Sequence, residues 1–504
     1  MDADAHRAFQ VVEARFELVR KRSGLFLAPI VFVVLWFATL GLDTPAHRLA
    51  AVLGAVVVLW ITEAIPMAIT AFLGVAVAVV LGVAPPVEAF APFADPLIFL
   101  FIGTFMLAQA IFSHGLDRRF AFAILGWRGV AHRPARVLVA YAGVSCMISM
   151  WISNTATTAM MFPIGLSVLH VLESQRRGRP LPPRFGTILL LSNAFAASIG
   201  GLATPVGTPP NLIGIGFIQR ETGASIPFFS WMALGIPVVV VMFALALIDL
   251  GRAAIPRRAT LHGVADFIAG ERAALGPWTR GQKNTMFAFG LTVGLWVLPG
   301  FIALVAGNDS PAYRQVATLL PEGSVALLGA GLLFILPTDF SRHQFTLRWE
   351  EAKNIDWWIV FLYGGGIALG TLAFKTGLAE TMGRGLTEIW GVRSAFTLLA
   401  LSTVLAALLS ETTSNTASAN MVVPVVIAFA NSAGIDPVVP AVGATMGASL
   451  GFMLPVSTPT NAIVYGSGRI PLTTMMRHGI VLDVVGVVVI VTVLAVLGPL
   501  VLAR

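Results

Sequence analysis

The sequence predicts an all-α polytopic membrane protein, and its composition, its apolar runs and an internal repeat carry that prediction. Of the 504 residues, 57% are hydrophobic and 11% are charged, whereas about a quarter of the residues in a soluble domain are charged. Runs of about 20 apolar residues, the length at which a helix crosses a ~30 Å hydrocarbon core, recur along the chain. Two halves of the chain also share motifs in the same order.

The apolar runs predict about eleven transmembrane crossings and two re-entrant helical hairpins. Four runs are interrupted near their middle by Gly, Pro, Ser, Thr or Asn, at 149–158, 200–210, 410–418 and 451–459. These residue types break helices or tolerate a break. The predicted spans cover 25–42, 48–65, 67–83, 95–113, 137–172, 187–219, 228–251, 284–305, 324–336, 356–374, 395–430, 438–465 and 480–502.

The distribution of charge predicts the orientation. A net charge of +7 is compatible with a nucleic-acid partner, but the basic residues lie in short loops and form no contiguous basic domain, so no nucleic acid is expected. With a cytoplasmic N-terminus, most of the 32 Lys and Arg residues fall on the cytoplasmic side, as the positive-inside rule requires. We expect a multi-pass protein of the cell's inner (plasma) membrane.

The internal repeat divides the chain. Ser153-Asn154-Thr155 recurs as Ser414-Asn415-Thr416, and the segment 205–211 matches 455–461. Each copy has an odd number of crossings, so the second is inverted relative to the first, an arrangement typical of alternating-access carriers with a site near the bilayer midplane. We expect an amphipathic cytoplasmic segment (1–24), a first transmembrane helix (25–47), a first inverted repeat (48–252), a cytoplasmic linker (253–283) and a second inverted repeat (284–504).

The residue types at the breaks suit ions. Backbone that is not helical at membrane depth must be buried in protein or line a wet cavity. Hydroxyl, amide and carbonyl oxygens suit Na⁺, and helix N-termini with Asn, Ser and Thr donors can hold a carboxylate or a sulfate. A lone Ser-Asn-Thr in an apolar span is more often a packing feature, but its duplication at matched breaks indicates a site.

The sequence alone leaves open the roles of three residues near the tripeptides. Ser149 and Ser410, each four residues before a tripeptide, are packing hydroxyls or ion ligands. Glu411 is an intramembrane carboxylate, a type that is costly to bury and usually functional, or it stands at a hairpin turn. The spans show no His-Glu-x-x-His motif, carboxylate pair or nucleophile–base arrangement, so we do not expect an enzyme.

On its paired tripeptides, the chain resembles the divalent anion/sodium symporter family of di- and tricarboxylate and sulfate carriers. The resemblance runs from about Arg48 to the C-terminus. It implies a homodimer and an elevator-type motion between a scaffold domain and a transport domain, each assembled from both repeats. The sequence departs from the family's pattern at Thr412, Ser457 and Thr460, all in the second repeat.

The resemblance also implies site residues. It places one sodium ion on Ser149, Ser153, Asn154 and the carbonyl of Gly207, and a second on Ser410, Thr413, Asn415 and Ser457. It places the substrate on Ser153, Asn154, Thr155, Thr208, Pro209, Ser414, Asn415, Thr416, Thr458 and Pro459.

The leading hypothesis is Na⁺-coupled import of a C4-dicarboxylate such as succinate, with at least two Na⁺ ions. A Na⁺-independent dicarboxylate exchanger of the same fold, or a sulfate or citrate carrier, is the nearest alternative. A channel or a membrane-embedded enzyme is the rival from another class.

Overall fold

The computed structural model describes residues 3–174, 184–254, 263–307 and 309–502, and most of these residues are helical. Part of the predicted linker (255–262) and the basic stretch 175–183 lie outside the described residues. The first elements are α1 (Ala3–Phe37), α2 (Thr44–Thr62), α3 (Met67–Val80), α4 (Pro86–Phe90), a 3₁₀ turn (Ala91–Ala94) and α5 (Pro96–Ser113). The predicted N-terminal segment and first span therefore form one continuous helix, α1.

The rest of the first repeat contains its two predicted breaks, between α7 and α8 and between α9 and α10, and the linker follows. The helices are α6 (Leu116–Leu125), α7 (Pro134–Ser149), α8 (Asn154–Ser174), α9 (Arg184–Gly200), α10 (Pro209–Thr222), α11 (Phe228–Ala254) and α12 (Val264–Ala274).

The second repeat follows a similar order of long helices and includes one short antiparallel strand pair between α15 and α16. Its elements are α13 (Arg280–Ala306), α14 (Pro311–Leu319), α15 (Glu322–Ile335), β1 (Pro337–Asp339), β2 (Gln344–Phe345), α16 (Trp349–Ala352), α17 (Trp357–Lys375), α18 (Leu378–Trp390), α19 (Ala395–Thr412), α20 (Asn415–Ser432), α21 (Val438–Gly447), α22 (Pro459–Tyr465) and α23 (Leu472–Val501).

Each Ser-Asn-Thr tripeptide lies at the tip of a helical hairpin. In the first repeat, the Tyr141 hydroxyl on α7 donates to the Met161 carbonyl on α8 at 2.8 Å. In the second, the Ser418 hydroxyl on α20 donates to the Ala406 carbonyl on α19 at 2.8 Å. Because residues about equally far from the tip touch, the paired helices run antiparallel.

Two short helices that are not membrane-length apolar runs occupy matching places in the repeats: α6 follows α5, and α18 follows α17. α6 begins after Gly115 (φ 62°), and α18 begins after Gly377 (φ 77°). A positive φ costs little at glycine, so the matched Gly-Leu pairs turn the chain at the same place in both repeats. In the first repeat, Arg118 of α6 pairs with Glu271 of α12 at 2.9 Å.

The described helices have the length and apolarity of a polytopic membrane protein. Among them, eight can each cross a membrane alone, or nine if α14 and α15, bent by 52°, form one span. Shorter apolar helices such as α3, α7 and α21 accompany these. The figure of about eleven crossings stays a prediction. Most residues of the largest apolar core come from α7 to α11 and α19 to α23, which include the eight helices that flank the four breaks.

The contact between α5 and α15 gives a first prediction. A Cβ on Gly103 would lie 2.5–2.7 Å from Ala326, including its backbone, so Gly103→Ala should destabilise the protein by roughly 1–3 kcal/mol through overpacking. The control is Gly294→Ala on α13, where a Cβ meets nothing within 4 Å and helix propensity favours Ala by up to ~1 kcal/mol. Melting temperatures in detergent should fall for the first variant and hold or rise for the second; the opposite order would contradict this packing.

Candidate functional site

The ten residues assigned to the substrate line a single cavity of about 650 Å³. The cavity lies between the two hairpin tips and the two broken segments, which the fold brings together from opposite halves of the chain. Its charged lining residues are Glu17, Glu63 and Asp356, with no Lys or Arg among the described ones. Other lining residues are Met67, Trp358, Ile359, Pro455, Val456, Ser457, Ala462, Tyr465 and Gly466.

The serine of each tripeptide caps a helix. The Ser153 hydroxyl accepts from the Ala156 N–H at 3.3 Å, and the Ser414 hydroxyl accepts from the Ala417 N–H at 3.2 Å. The first N–H groups of a helix have no intrahelical acceptor and carry the positive end of the helix dipole. The N-terminal ends of α8 and α20 therefore present donors to the cavity, where they suit an anion.

The first cation set is partly assembled by direct contacts. The Ser149 hydroxyl donates to Asn154 Oδ1 at 2.7 Å. Asn154 also packs directly against the Cα of Gly201, where a Cβ would collide with its amide. A Cβ on Gly207 would lie 2.5 Å from the Gly201 carbonyl oxygen. Ser149, Asn154 and Gly207 thus converge around Gly201. The fourth predicted ligand, Ser153, lies next to Asn154 at the hairpin tip.

The second cation set repeats this geometry. The Ser410 hydroxyl lies 2.9 Å from Asn415 Oδ1 and 2.7 Å from the Ala448 carbonyl oxygen. Ser410, Asn415 and Ser457 all lie 3.2–3.4 Å from the position of a Cβ on Gly451. The hydroxyl of the fourth predicted ligand, Thr413, hydrogen-bonds to the carbonyls of residues 409 and 414 within the described part of the chain.

An asparagine clamps the backbone of each broken segment. Asn211 Nδ2 donates to the carbonyls of Gly201 and Thr204 at 2.9 and 2.8 Å. Asn461 Nδ2 donates to the carbonyls of Gly451 and Leu454, both at 3.0 Å. Thr208 and Thr458, the cap residues just before α10 and α22, have nearly identical dihedral angles (φ −147°, ψ 143° and φ −149°, ψ 144°). The two segments are therefore local copies of one structure.

The departure from the family pattern at Thr460 adds a contact between the repeats. The Thr460 hydroxyl is buried and lies 3.1 Å from the Ser198 hydroxyl of α9. It also donates to the Thr458 hydroxyl at 3.3 Å. Proline at this position would lack both contacts.

Glu411 is buried behind the second cation set. Its Oε1 accepts from the Met453 N–H at 2.8 Å, and its Oε2 accepts from the Ser457 hydroxyl at 2.7 Å. Asp483 of α23 lies within hydrogen-bonding reach of the same carboxyl. The expectation that the spans hold no carboxylate pair is therefore wrong, because α23 brings Asp483 to Glu411 from a distant part of the sequence.

Sequence reasoning missed several residues that the structure places at or behind the site. The sequence does contain a signal for Asn211 and Asn461, because they occupy matching positions in the two repeats. Asp483 had one too, because a carboxylate inside an apolar helix is unusual. No sequence signal marks Glu17 as a cavity residue, because its position depends on the continuity of α1. Arg20 of that helix pairs with the cavity residue Glu63 at 3.0 Å, with 15% and 29% of the two side chains exposed.

Comparison with known proteins gives consistent results. Residues 20–503 match the family described as the sodium:sulfate symporter transmembrane region. The chain is 33% identical over 486 residues to the sodium-dependent dicarboxylate transporter SdcS of Staphylococcus saprophyticus, covering 95% of this chain and 92% of the relative. It is 31% identical to the protein of that name in Staphylococcus aureus, with 95% and 91% covered.

A solved structure shares the fold. The crystal structure of the YdaH transporter of Alcanivorax borkumensis superposes with a TM-score of 0.54 and 16% identity, covering 82% of this chain and 87% of that one. At this identity, the likeness concerns the fold alone.

The asparagine clamps generate the second prediction. Asn211→Asp keeps the size of the side chain but replaces the amide donor with an acceptor facing two carbonyls, so two hydrogen bonds worth about 1 kcal/mol each are lost and repulsion is added. We expect a lower melting temperature and loss of stabilisation by Na⁺. The control is Asn431→Asp, the same change at an exposed position on α20, which should leave both quantities unchanged. Wild-type behaviour of Asn211→Asp would refute the clamp.

Proposed function

The chain belongs to the sodium:sulfate symporter family, and from this premise we propose that it imports a divalent anion, a C4-dicarboxylate such as succinate, by Na⁺ symport. One observation carries the proposal: both tripeptides and both broken segments line one cavity that has helix N-termini and hydroxyls but no basic side chain among its described lining residues. The two relatives named as sodium-dependent dicarboxylate transporters support this choice of ion and substrate.

Electrostatics favours coupling to cations. Glu17, Glu63 and Asp356 line the cavity. Arg20 is paired with Glu63 and Lys21 with Glu17, so these basic side chains are already partnered and the described lining offers an incoming dianion no free positive charge. A Na⁺ ion ~5 Å from a carboxylate attracts it by roughly 3 kcal/mol at an effective dielectric constant of about 20, which is about a hundredfold in affinity. Two bound Na⁺ ions, one on each predicted set, would supply the positive charge that the lining residues lack.

The mechanism we propose is alternating access by an elevator-type movement in inverted repeats. Each cation set is built within one repeat, while the cavity is shared by both, so a rigid unit carrying both hairpins and both broken segments can move its ions and substrate together. α17 packs against this unit through small residues: a Cβ on Gly366 would collide with Asn420, and one on Gly370 with Phe217. The homodimer implied by the resemblance belongs to the same proposal, and the mass of the purified protein in detergent tests it.

The orientation of the cavity is part of the proposal. It is lined by Glu63, just after α2, and by Glu17 in the N-terminal part of α1. If the N-terminus is cytoplasmic, the cavity faces the cytoplasm and the structure is inward-facing.

A Na⁺-independent exchanger is the alternative, and sulfate or citrate the alternative substrates. The exchanger would need a counter-anion inside vesicles and would ignore Na⁺. The family's description names sulfate, and competition against succinate uptake separates the substrates.

Uptake of labelled succinate into proteoliposomes tests the function. An inward Na⁺ gradient should drive accumulation, and Asn154→Ala or Asn415→Ala should abolish it because each removes an amide from a predicted ion and substrate site. Each variant also loses a buried hydrogen bond, so its melting temperature should fall, but a cooperative melting transition should show that it still folds. Asn431→Ala, at an exposed position, is the control and should transport normally. Uptake that does not depend on the Na⁺ gradient would exclude symport, and normal rates in both site variants would refute the assignment.

Labelling with a membrane-impermeant maleimide tests the orientation. Ala462 is exposed and lines the cavity, whereas the native Cys146 is buried and can be replaced by Ala as background. Ala462→Cys should react from the cytoplasmic side, and Na⁺ with succinate should protect it. Asp309→Cys, a fully exposed position between α13 and α14, is the matched control and should react from outside. Reaction of both from one side would overturn the topology.

A further inference from the structure

Thr460 stands at the start of α22, and its hydroxyl joins two other buried hydroxyls into a row. The Ser198 hydroxyl of α9 lies 3.1 Å from it, and Thr460 donates to the Thr458 hydroxyl at 3.3 Å. At most 6% of each of these three residues is exposed. Thr458 lines the cavity, whereas Ser198 and Thr460 are not among its described lining residues. The hydroxyl row Ser198–Thr460–Thr458 therefore leads from the first repeat to the cavity.

Counting protons gives the hydroxyl row a direction. A hydroxyl has one proton to donate and two lone pairs that can accept. Thr460 uses its proton on Thr458, so the bond between Ser198 and Thr460 takes its proton from Ser198. The Thr458 hydroxyl thus accepts a hydrogen bond and keeps its own proton. It does not cap α22, and within the described part of the chain its proton has no other acceptor. That proton is free for a ligand in the cavity.

The first repeat has the same backbone at this place but no such row. Thr208 has nearly the dihedral angles of Thr458, but Pro210 stands where the second repeat has Thr460. Proline has no hydroxyl to donate. The Thr208 hydroxyl does not cap α10, and it makes no hydrogen bond with another described residue. Two equivalent cavity threonines therefore differ in whether a neighbour orients their hydroxyl.

A buried serine shows the same asymmetry from the other side. Ser449 is the counterpart of Ser198, because residues 448–451 (Ala-Ser-Leu-Gly) repeat residues 197–200 (Ala-Ser-Ile-Gly). The Ser449 hydroxyl is buried and has no hydrogen-bond partner among the described residues. By the symmetry of the repeats its partner would be the residue at position 210, which is proline. Of the two equivalent serines, only the one whose counterpart residue is Thr460 is hydrogen-bonded.

An oriented hydroxyl is suited to an anionic ligand. A hydroxyl without a partner can rotate and present either its proton or its lone pairs, whereas the bond from Thr460 occupies one lone pair of Thr458 and restricts this rotation. Each bond in such a row also polarises the next, which strengthens the last donor. The described lining of the cavity contains no Lys or Arg, so neutral donors of this kind must hold the oxygens of a carboxylate.

We propose that Thr460, supported by Ser198, is a positioning residue that holds the Thr458 hydroxyl as a hydrogen-bond donor to a carboxylate of the substrate. The proposal deepens the proposed function and rests on it, because it takes the cavity as a dicarboxylate site with Thr458 among the substrate contacts. The second repeat then contributes an oriented donor where the first contributes a hydroxyl without such support.

The kinetics of succinate uptake into proteoliposomes test the positioning role. Thr460→Val keeps the shape of the side chain and removes its hydroxyl, so the succinate KM should rise by about tenfold, as when one hydrogen bond to a charged group is weakened. The maximal rate should stay close to the wild type, because binding is what changes. Thr460→Ser should restore the KM. Ser198→Ala should raise it by only about threefold, since Thr460 can still donate to Thr458.

Thr403→Val is the matched control for the loss of a buried hydroxyl. Thr403 is fully buried on α19, and its hydroxyl donates to the Leu399 carbonyl of the same helix at 2.7 Å. The succinate KM of this variant should equal that of the wild type.

Thermal-shift titrations with NaCl in the absence of succinate separate positioning from a structural disturbance. Neither Thr458 nor Thr460 belongs to a predicted cation set, so Thr460→Val should keep the apparent Na⁺ affinity of the wild type. A distorted broken segment would also displace Ser457 and weaken the stabilisation by Na⁺. A rise in succinate KM accompanied by an equal loss of Na⁺ affinity would therefore overturn the positioning role.

Thr460→Pro is a second variant in case Thr460→Val does not fold. Proline occupies the matching position 210 and is tolerated in the first turn of a helix, so the same rise in KM is expected. An unchanged KM in these Thr460 variants, or no restoration by Thr460→Ser, would overturn the proposal while the proposed function stands. Absence of succinate uptake by the wild type would contradict the proposed function, and the positioning role would fall with it.

Discussion

Backbone that leaves the helix at membrane depth is the constraint on which the rest of this structure depends. Hydrocarbon cannot satisfy free N–H and C=O groups, so each of the four breaks must be paired within the protein. The amides of Asn211 and Asn461 each hold two carbonyls of a broken segment. Hydroxyls connect each segment to its hairpin, through Thr204 to the Met150 carbonyl and through Ser457 to the Glu411 carbonyl. These bonds fix the loops, and the loops in turn position the oxygens that face the cavity.

The same constraint explains the chemistry of the cavity. Interrupted helices expose N-termini and neutral oxygens at one place, and these can bind ions of either sign without a fixed basic residue. A site of this kind has low affinity for a dianion alone and higher affinity once cations are bound. Coupling is then a property of the site's composition, because the substrate's electrostatic support enters together with the ions.

Features set by local sequence could be predicted. The breaks and hairpins follow from Gly, Pro, Ser and Asn within apolar runs, and the duplicated tripeptides identify the residues that meet in the cavity. Features set by long-range packing could not. Asp483 reaches Glu411 only because Gly479 lets α23 approach the backbone at 452–453, and such an approach leaves no mark on the sequence near Glu411.

Helix continuity and helix length account for the other differences. Glu17 reaches the cavity because α1 runs unbroken from residue 3 to 37, whereas an amphipathic surface segment followed by a separate span would place it elsewhere. α6 and α18 were not predicted because they are amphipathic helices of 10 and 13 residues, and neither contains an apolar run of membrane length. Their starting glycines, Gly115 and Gly377, were visible as repeat motifs, but their role as turns depends on a backbone angle.

The two repeats are alike in backbone and different in charge. Thr208 and Thr458, at the ends of the broken segments, have nearly the same dihedral angles, and both segments have the same asparagine clamp, so the predicted cation sets can have similar geometry. The second set differs because Ser457 occupies the position that matches Gly207, and its hydroxyl donates to the buried carboxylate of Glu411. A hydroxyl in that position ties the cation set to Glu411, whereas a glycine can offer only its carbonyl. Symmetric folding with asymmetric side chains therefore gives two predicted cation sets with similar backbone, and in the second the Ser457 hydroxyl contacts the ionisable Glu411.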